Sequence, residues 1–358
     1  MKKKINHILP ALVLTASLGL TTVSCNGFLD EMPDNRTELN TDQKIAKLLV
    51  SAYADVSPNE LFELYSDNSD DSGPTYGYYK LSEQECYHWQ DTKEEYQDTP
   101  NSLWGGYYSA IAAANMALNA IEEKGNPASL DSQRGEALVC RAYCHFMLAN
   151  IFCNAYDTHA SQSLGVPYME EVETTVSPRY ERGTLEEVYR KVERDLLEGI
   201  DLISDDSYSV PKYHFTRKAA YAFAARFYLY YMKPDFSNCD RVIDFATRVL
   251  GTNPADLLRN WEALGNLSVN GNVQADAYIA SSNEANLLIS STVSNWGAIG
   301  SDYLIGPRYF HNQTLATSET CLSSGLWGSS DYFYLKPFST NGFVASILRK
   351  SGLYEGTY

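Results

Sequence analysis

Residues 131–156 read DSQRGEALVCRAYCHFMLANIFCNAY, and this stretch decides the fold. Leu138, Ala142, Phe146 and Ala149 recur at three- and four-residue spacing, so they share one face of a helix running from about Asp131 to Tyr156. No strand keeps such residues on one side. The alanines along it are small enough to let a neighbouring helix approach closely. Upstream, Thr99-Pro100 supplies a cap residue and a first-turn proline, and the helix they open runs through Trp104, Tyr108, Ile111, Ala112, Asn115 and Leu118. Downstream, Thr184 and Glu187 have capping-box spacing ahead of a stripe of Leu185, Val188, Val192, Leu196 and Ile200. Further helices are expected near 216–232 and 239–250, the second closed by Gly251 and Asn253-Pro254.

Helix also begins near Thr41, where Ile45, Leu48, Leu49 and Ala52 line up. Long paired helices of this kind predict a mainly α fold, a tetratricopeptide-like scaffold of helical pairs over about 41–260. No clean 34-residue identity repeat supports a regular array, so the solenoid is degenerate. Two regions break the pattern. Residues 57–99 are rich in Asp, Ser, Gly, Pro and clustered Tyr and are expected to form a long loop insertion, a length that tends to be functional. Residues 261–358 form a loop-rich second half.

The first residues carry processing information. Lys2, Lys3 and Lys4 precede an uncharged stretch from Ile8 to Leu20, the length of a signal-peptide core and too short to span a bilayer. Small residues and then Cys25 follow, which predicts removal of residues 1–24, acylation of Cys25 and an extended tether over 25–40 containing Pro33. Thr22 stands where such signals usually carry Leu; ordinary secretion with a spare thiol at Cys25 is the alternative. The formal net charge is −17, and loss of the three lysines makes the mature chain more acidic still. That balance argues against a nucleic-acid partner, which needs a basic surface, and leaves the lipid as the attachment to the membrane.

Besides Cys25 there are six cysteines, at 86, 140, 144, 153, 239 and 321. Six in an exported chain could pair as disulfides, but Cys140 and Cys144 lie amid apolar residues of one helix, which favours buried free thiols. A zinc site on Cys140, Cys144 and His145 would lack a fourth ligand. The chain has no G-x-S-x-G elbow, no phosphate-cradling glycine loop and no H-E-x-x-H, so no catalytic constellation is expected. The pairs Glu122-Glu123 and Asp205-Asp206 fall at helix ends as solvated charge. No bound cofactor is expected; the acidic loop Asp67, Asp70 and Asp71 could hold Ca²⁺ but has no closing Glu. Glu136, Arg141 and Asn115 read as mutually satisfied polar groups at helix contacts, His145 likewise, and Trp104 and Trp261 as core.

Aromatics in the irregular regions differ. Tyr76, Tyr78, Tyr79 and Trp89 lie in the first, and Trp296, Tyr303 and Trp327 in the second. Flat rings stack on the C–H faces of sugars, so these seven are the candidate ligand-binding set. Twenty-seven Tyr against 13 Phe favour half-wet surfaces of that kind.

Several stretches together resemble the SusD/RagB family of Bacteroidetes nutrient-uptake lipoproteins. They are Cys25-Asn26-Gly27-Phe28-Leu29-Asp30, the run Trp104, Tyr108, Ile111, Asn115, and Gly135-Glu136-Ala137 with Arg141-Ala142-Tyr143 and His145-Phe146. Gly165-Val166-Pro167-Tyr168, Thr184 to Tyr189 with Asp195-Leu196, Thr216 with Ala219-Ala220-Tyr221, Ala224 and Arg226, Trp261 to Leu264 and Asn283-Glu284 continue it in the same order. The resemblance implies an outer-membrane, surface-facing lipoprotein that captures an oligosaccharide, or a peptide, and passes it to a SusC-like TonB-dependent transporter. An adhesive lipoprotein and a surface glycoside hydrolase are the other readings. Family members are usually longer and end on another helix pair, so the resemblance also implies a C-terminal truncation at Tyr358.

Overall fold

A computed structural model describes residues 39–67, 69–74, 80–175, 178–267, 273–294 and 308–310. Its helices in chain order are α1 (Asp42–Leu49), α2 (Asn59–Leu64), α3 (Leu81–Tyr87), α4 (Pro100–Glu123), α5 (Asp131–Phe152), α6 (Leu185–Leu202), α7 (Arg217–Tyr230), α8 (Cys239–Leu250), α9 (Trp261–Gly265) and α10 (Val273–Tyr278). The only strands among the described residues are β1 (Asp70–Asp71) and β2 (Tyr309–Phe310), an antiparallel pair with Asp70 opposite Phe310 and Asp71 opposite Tyr309. The fold is mainly α, as the periodicity predicts.

Local chemistry sets the helix starts. The Thr99, Thr184 and Thr216 hydroxyls each accept a backbone N–H from the first turn of the helix they precede, satisfying donors that have no carbonyl four residues back. At α6 the box is reciprocal: Glu187 Oε2 accepts the Thr184 N–H at 2.9 Å.

Helix α5 is the hub, packing against α4 on one side and α6 on the other, while α7 packs on α8. Glycines set the α5–α6 distance. A Cβ added at Gly135 would stand 2.6 Å from the Gly199 carbonyl oxygen, and one at Gly199 would stand 2.7 Å from the Gly135 oxygen. No larger residue fits either place, which gives the Gly of the G-E-A stretch its reason.

Polar groups inside this hub are paired. Arg141 Nε donates to Asp195 Oδ2 at 2.6 Å and its Nη1 to Asn115 Oδ1 at 3.0 Å, while the Tyr168 hydroxyl donates to the same Asp195 oxygen at 2.7 Å. Glu136 accepts from the Tyr53 hydroxyl at 2.6 Å and faces His214 Nδ1 at 2.7 Å. His145 lies 2.9 Å from the Arg141 carbonyl through Nδ1, and its Nε2 accepts the Met169 N–H at 3.0 Å. Burial drives its pKa down from 6.5 to about 3, so the imidazole is neutral, the form that this bonding pattern requires. Cys86, Cys140 and Cys144 are buried free thiols; burial raises Cys86 to about 11 and Cys144 to about 12, which makes them inert packing groups. Cys153 and Cys239 are partly exposed and also free.

Three expectations are revised. Helix α5 ends at Phe152 rather than Tyr156, because Cys153 turns extended and Tyr156 folds back to pack 4.8 Å from the rings of both Tyr189 and Tyr231. Residues 57–99 contain the short helices α2 and α3, whose few apolar residues are too short a run to show a period. Trp261 is 55% exposed rather than core: it opens the five-residue helix α9, where only Leu264 is buried. Trp104 is partly buried against Tyr108 and Phe152.

Candidate functional site

The insertion between α1 and α4 builds its own small core. Leu61 and Leu64 of α2, Cys86 of α3, Leu103 of α4 and Tyr309 of β2 are buried together, with Val56, Tyr65 and Phe152 against them. Arg308 closes the far end. Its Nε and Nη2 donate to the two Asp71 oxygens at 2.6 and 2.7 Å, a bidentate pair that holds β2 against β1 and keeps the Asp71 carboxyl below its usual range. The acidic loop considered for Ca²⁺ therefore has its Asp71 charge matched by Arg308; Asp70 accepts the Asp71 N–H at 2.8 Å. Among the described residues no three His, Cys, Asp or Glu side chains group to hold a metal.

Trp89 stands at the edge of this core, immediately after α3. It is 72% exposed, and its ring lies flat on Tyr65, with centroids 4.5 Å apart and planes 16° apart. The backbone that presents it is a helix C-terminus wound into the left-handed turn. His88 ends α3, the Trp89 N–H donates to the Cys86 carbonyl at 2.9 Å, and the Gln90 N–H donates to the Glu85 carbonyl at 2.8 Å. In this motif the residue after the cap has positive φ and is usually glycine. Here it is Trp89, at φ 56°. A bulky side chain in that conformation costs on the order of 1 kcal/mol relative to glycine, a cost that points to a use for the exposed ring. Glu85 secures the loop beyond by accepting the Lys93 N–H at 2.9 Å. Tyr87 and His88 lean on Tyr309, with centroids 4.7 and 6.2 Å away.

Beneath the platform lies a group of buried acids: Glu60 of α2, Glu83 of α3 and Asp98 are each 6% exposed or less, with Lys80 Nζ 3.7 Å from Glu83. Burial first, then the charges of Asp98 and Glu83, raise the Glu60 carboxyl to about 9, with Lys80 acting in the opposite direction. The insertion is thus braced by a carboxyl that stays protonated at neutral pH.

Of the seven candidate ligand residues, Trp89 is placed as an exposed ring. Tyr76, Tyr78, Tyr79, Trp296, Tyr303 and Trp327 lie outside the described residues, as does Cys25. Tyr65, which backs Trp89, and the Asp71–Arg308 clasp escaped the sequence reading. Tyr65 lies in the same Tyr-rich insertion, but nothing in the linear order pairs it with a residue 24 places on.

A family model described as SusD-like, "Starch-binding associating with outer membrane", matches residues 27–229, more than half of the chain. The chain belongs to the SusD-like family. It is similar to the solved structure of a SusD superfamily protein from Bacteroides vulgatus, at 20% identity and a TM-score of 0.55 over 78% of this chain and 62% of that one. A SusD superfamily protein from Bacteroides thetaiotaomicron matches at 19% identity and a TM-score of 0.49, over 62% of this chain and 48% of that one. A surface glycan-binding protein A from Bacteroides uniformis matches at 18% identity and a TM-score of 0.48, over 63% and 49%. This SusD-like chain spans about half to three-fifths of the length of those structures. No curated protein shows significant similarity to it. The family's description associates it with starch binding and with the outer membrane. Among the described residues no helix is long and apolar enough to cross a membrane.

Proposed function

We propose that this chain is a cell-surface glycan-binding lipoprotein, held at the outer membrane by acylated Cys25, that captures an oligosaccharide and hands it to a SusC-like TonB-dependent transporter without cleaving it and without a bound cofactor. The observation that carries the binding step is Trp89. It is a ring exposed over most of its surface, backed by Tyr65 and fixed by a strained turn, which is the rigid, half-wet aromatic surface that a sugar face stacks on. Tyr76, Tyr78, Tyr79, Trp296, Tyr303 and Trp327 are proposed to extend that surface. Lipid attachment at Cys25 would leave the domain tethered beside its transporter by residues 25–40.

Affinity electrophoresis through gels containing single polysaccharides tests the binding step. The wild-type chain is expected to be retarded by at least one glycan and Trp89→Ala to run free of it, with circular dichroism unchanged. Equal retardation of the two proteins discards Trp89 as the site. Release of reducing sugar by the pure protein would overturn binding without cleavage. Retention of the transporter on a column of the acylated chain, and its loss with Cys25→Ala, tests anchorage and hand-off.

A further inference from the structure

A cavity of about 410 Å³ opens between the α1–α2 connection, helices α4, α5 and α7, and residues 288–292. That is within the size range of small-molecule sites. Neither Trp89 nor Tyr65 lines it, so it is a site distinct from the aromatic platform, resting on its own observations. Its outer wall is pinned at both ends: the Ile289 N–H donates to the Lys212 carbonyl at 2.8 Å and the Val293 N–H to the Asp55 carbonyl at 2.6 Å. Ser290 and Thr292 face the cavity from that wall.

The opposite side carries the charge. Arg226 of α7 lies against the Phe146 and Tyr230 rings, 5.7 and 5.8 Å from their centroids, and the Tyr143 and Tyr107 hydroxyls are near enough to feel its charge. No carboxylate of the described residues pairs with it, although the chain holds 45 Asp and Glu against 28 Lys and Arg. Beside it Tyr107, 2% exposed, also lines the cavity. Burial raises the Tyr107 and Tyr143 pKa values, so both hydroxyls remain proton donors. One end of the cavity therefore offers a guanidinium and two O–H donors, the array that receives a carboxylate. Phe215 and Met147 supply an apolar flank, and Ser290 and Thr292 a hydroxyl rim. A flat apolar face, several hydroxyls and one carboxylate on a single small ring describe a sugar acid.

We propose that this cavity binds a hexuronate, its carboxylate on Arg226, Tyr143 and Tyr107, its ring against Phe215 and its hydroxyls toward Ser290 and Thr292. The carboxylate contact is charge-assisted, so added salt weakens it.

Isothermal titration of the full chain with sodium D-glucuronate and D-galacturonate, against D-glucose, D-galactose and acetate, tests this. At least one uronate is expected to bind about tenfold or more tightly than its neutral parent sugar and than acetate, the difference a charge-assisted hydrogen bond makes when a sugar ring is also held. Arg226→Gln, at an exposed position, should lose about that factor, and Arg226→Lys should lie between. Tyr143→Phe gives a second reading on the same contact without touching the charge and should weaken the uronate several-fold. Trp89→Ala should leave uronate binding unchanged while abolishing polysaccharide retardation, which separates this site from the platform. Absence of uronate binding, equal binding of glucose or of acetate, or wild-type affinity in both Arg226→Gln and Tyr143→Phe would overturn the proposal.

Discussion

Replacing Glu60 by Gln tests how the platform is braced. The Glu60 carboxyl is 4% exposed, and its Oε2 makes no hydrogen bond to a described residue. Burial, helped by Asp98 and Glu83, raises its pKa from 4.5 to about 9 in the folded chain. An unfolded chain ionises it near 4.5, so between those values the folded state binds the extra proton and stability falls as pH rises. Below about 4.5 both states are protonated and nothing is lost; above about 9 both are ionised and the loss levels off. At pH 7 holding the proton against an unfolded value 2.5 lower costs about 3 kcal/mol, and at pH 5 less than about 1 kcal/mol. Glutamine keeps the shape and never titrates. Glu60→Gln should therefore be more stable than wild type by a margin that widens by about 1.4 kcal/mol per pH unit between pH 5 and 8. Urea unfolding followed by far-ultraviolet circular dichroism at pH 5, 6, 7 and 8 measures that margin directly. A hydrogen-bonding difference alone would shift every curve equally, so a margin the same at pH 5 and pH 8 refutes the protonated brace.

Trp89→Gly removes the ring and also the penalty of positive φ, so thermal unfolding should show stability unchanged or raised by about 1 kcal/mol while glycan retardation disappears. Arg141→Ala leaves the buried Asp195 with only Arg194 and the Tyr168 hydroxyl as donors and should cost up to about 3 kcal/mol in urea unfolding, the low end of breaking a buried pair because Arg194 still matches the charge. Gly135→Ala drives a methyl group into the Gly199 carbonyl, so α5 and α6 must separate; a loss of about 1–3 kcal/mol is expected in the same assay. His145, held neutral with a pKa near 3 against 6.5 when free, makes the unfolded state the better proton acceptor between those values. Stability should fall as pH drops through that window, and His145→Gln should flatten the fall.

The scaffold was legible because it repeats one physical demand. Every helix from α4 to α8 buries a stripe, and the threonines that cap α4, α6 and α7 sit next to them in sequence. Periodicity and caps are local, and a linear chain displays them. Even the buried polar groups announced themselves, since Arg141, Asn115 and Glu136 lie on faces otherwise apolar. The platform obeys a different rule. Its helices α2 and α3 are six and seven residues long, too short to establish a period, and their cores are completed by Leu103 and Tyr309 from elsewhere. Trp89 could be picked out as an aromatic in an irregular region, but its exposure depends on a left-handed turn that sequence would assign to glycine. The clasp that fixes the platform joins Asp71 to Arg308 across 237 residues, and nothing near either one reports the other. A site assembled this way inherits a consequence. The scaffold's stability is spread over many local contacts, whereas the ring's presentation hangs on one strained turn, one protonated acid and one long-range ion pair. Changes at those three places are expected to retune or abolish the proposed glycan binding while the helical hub stays folded.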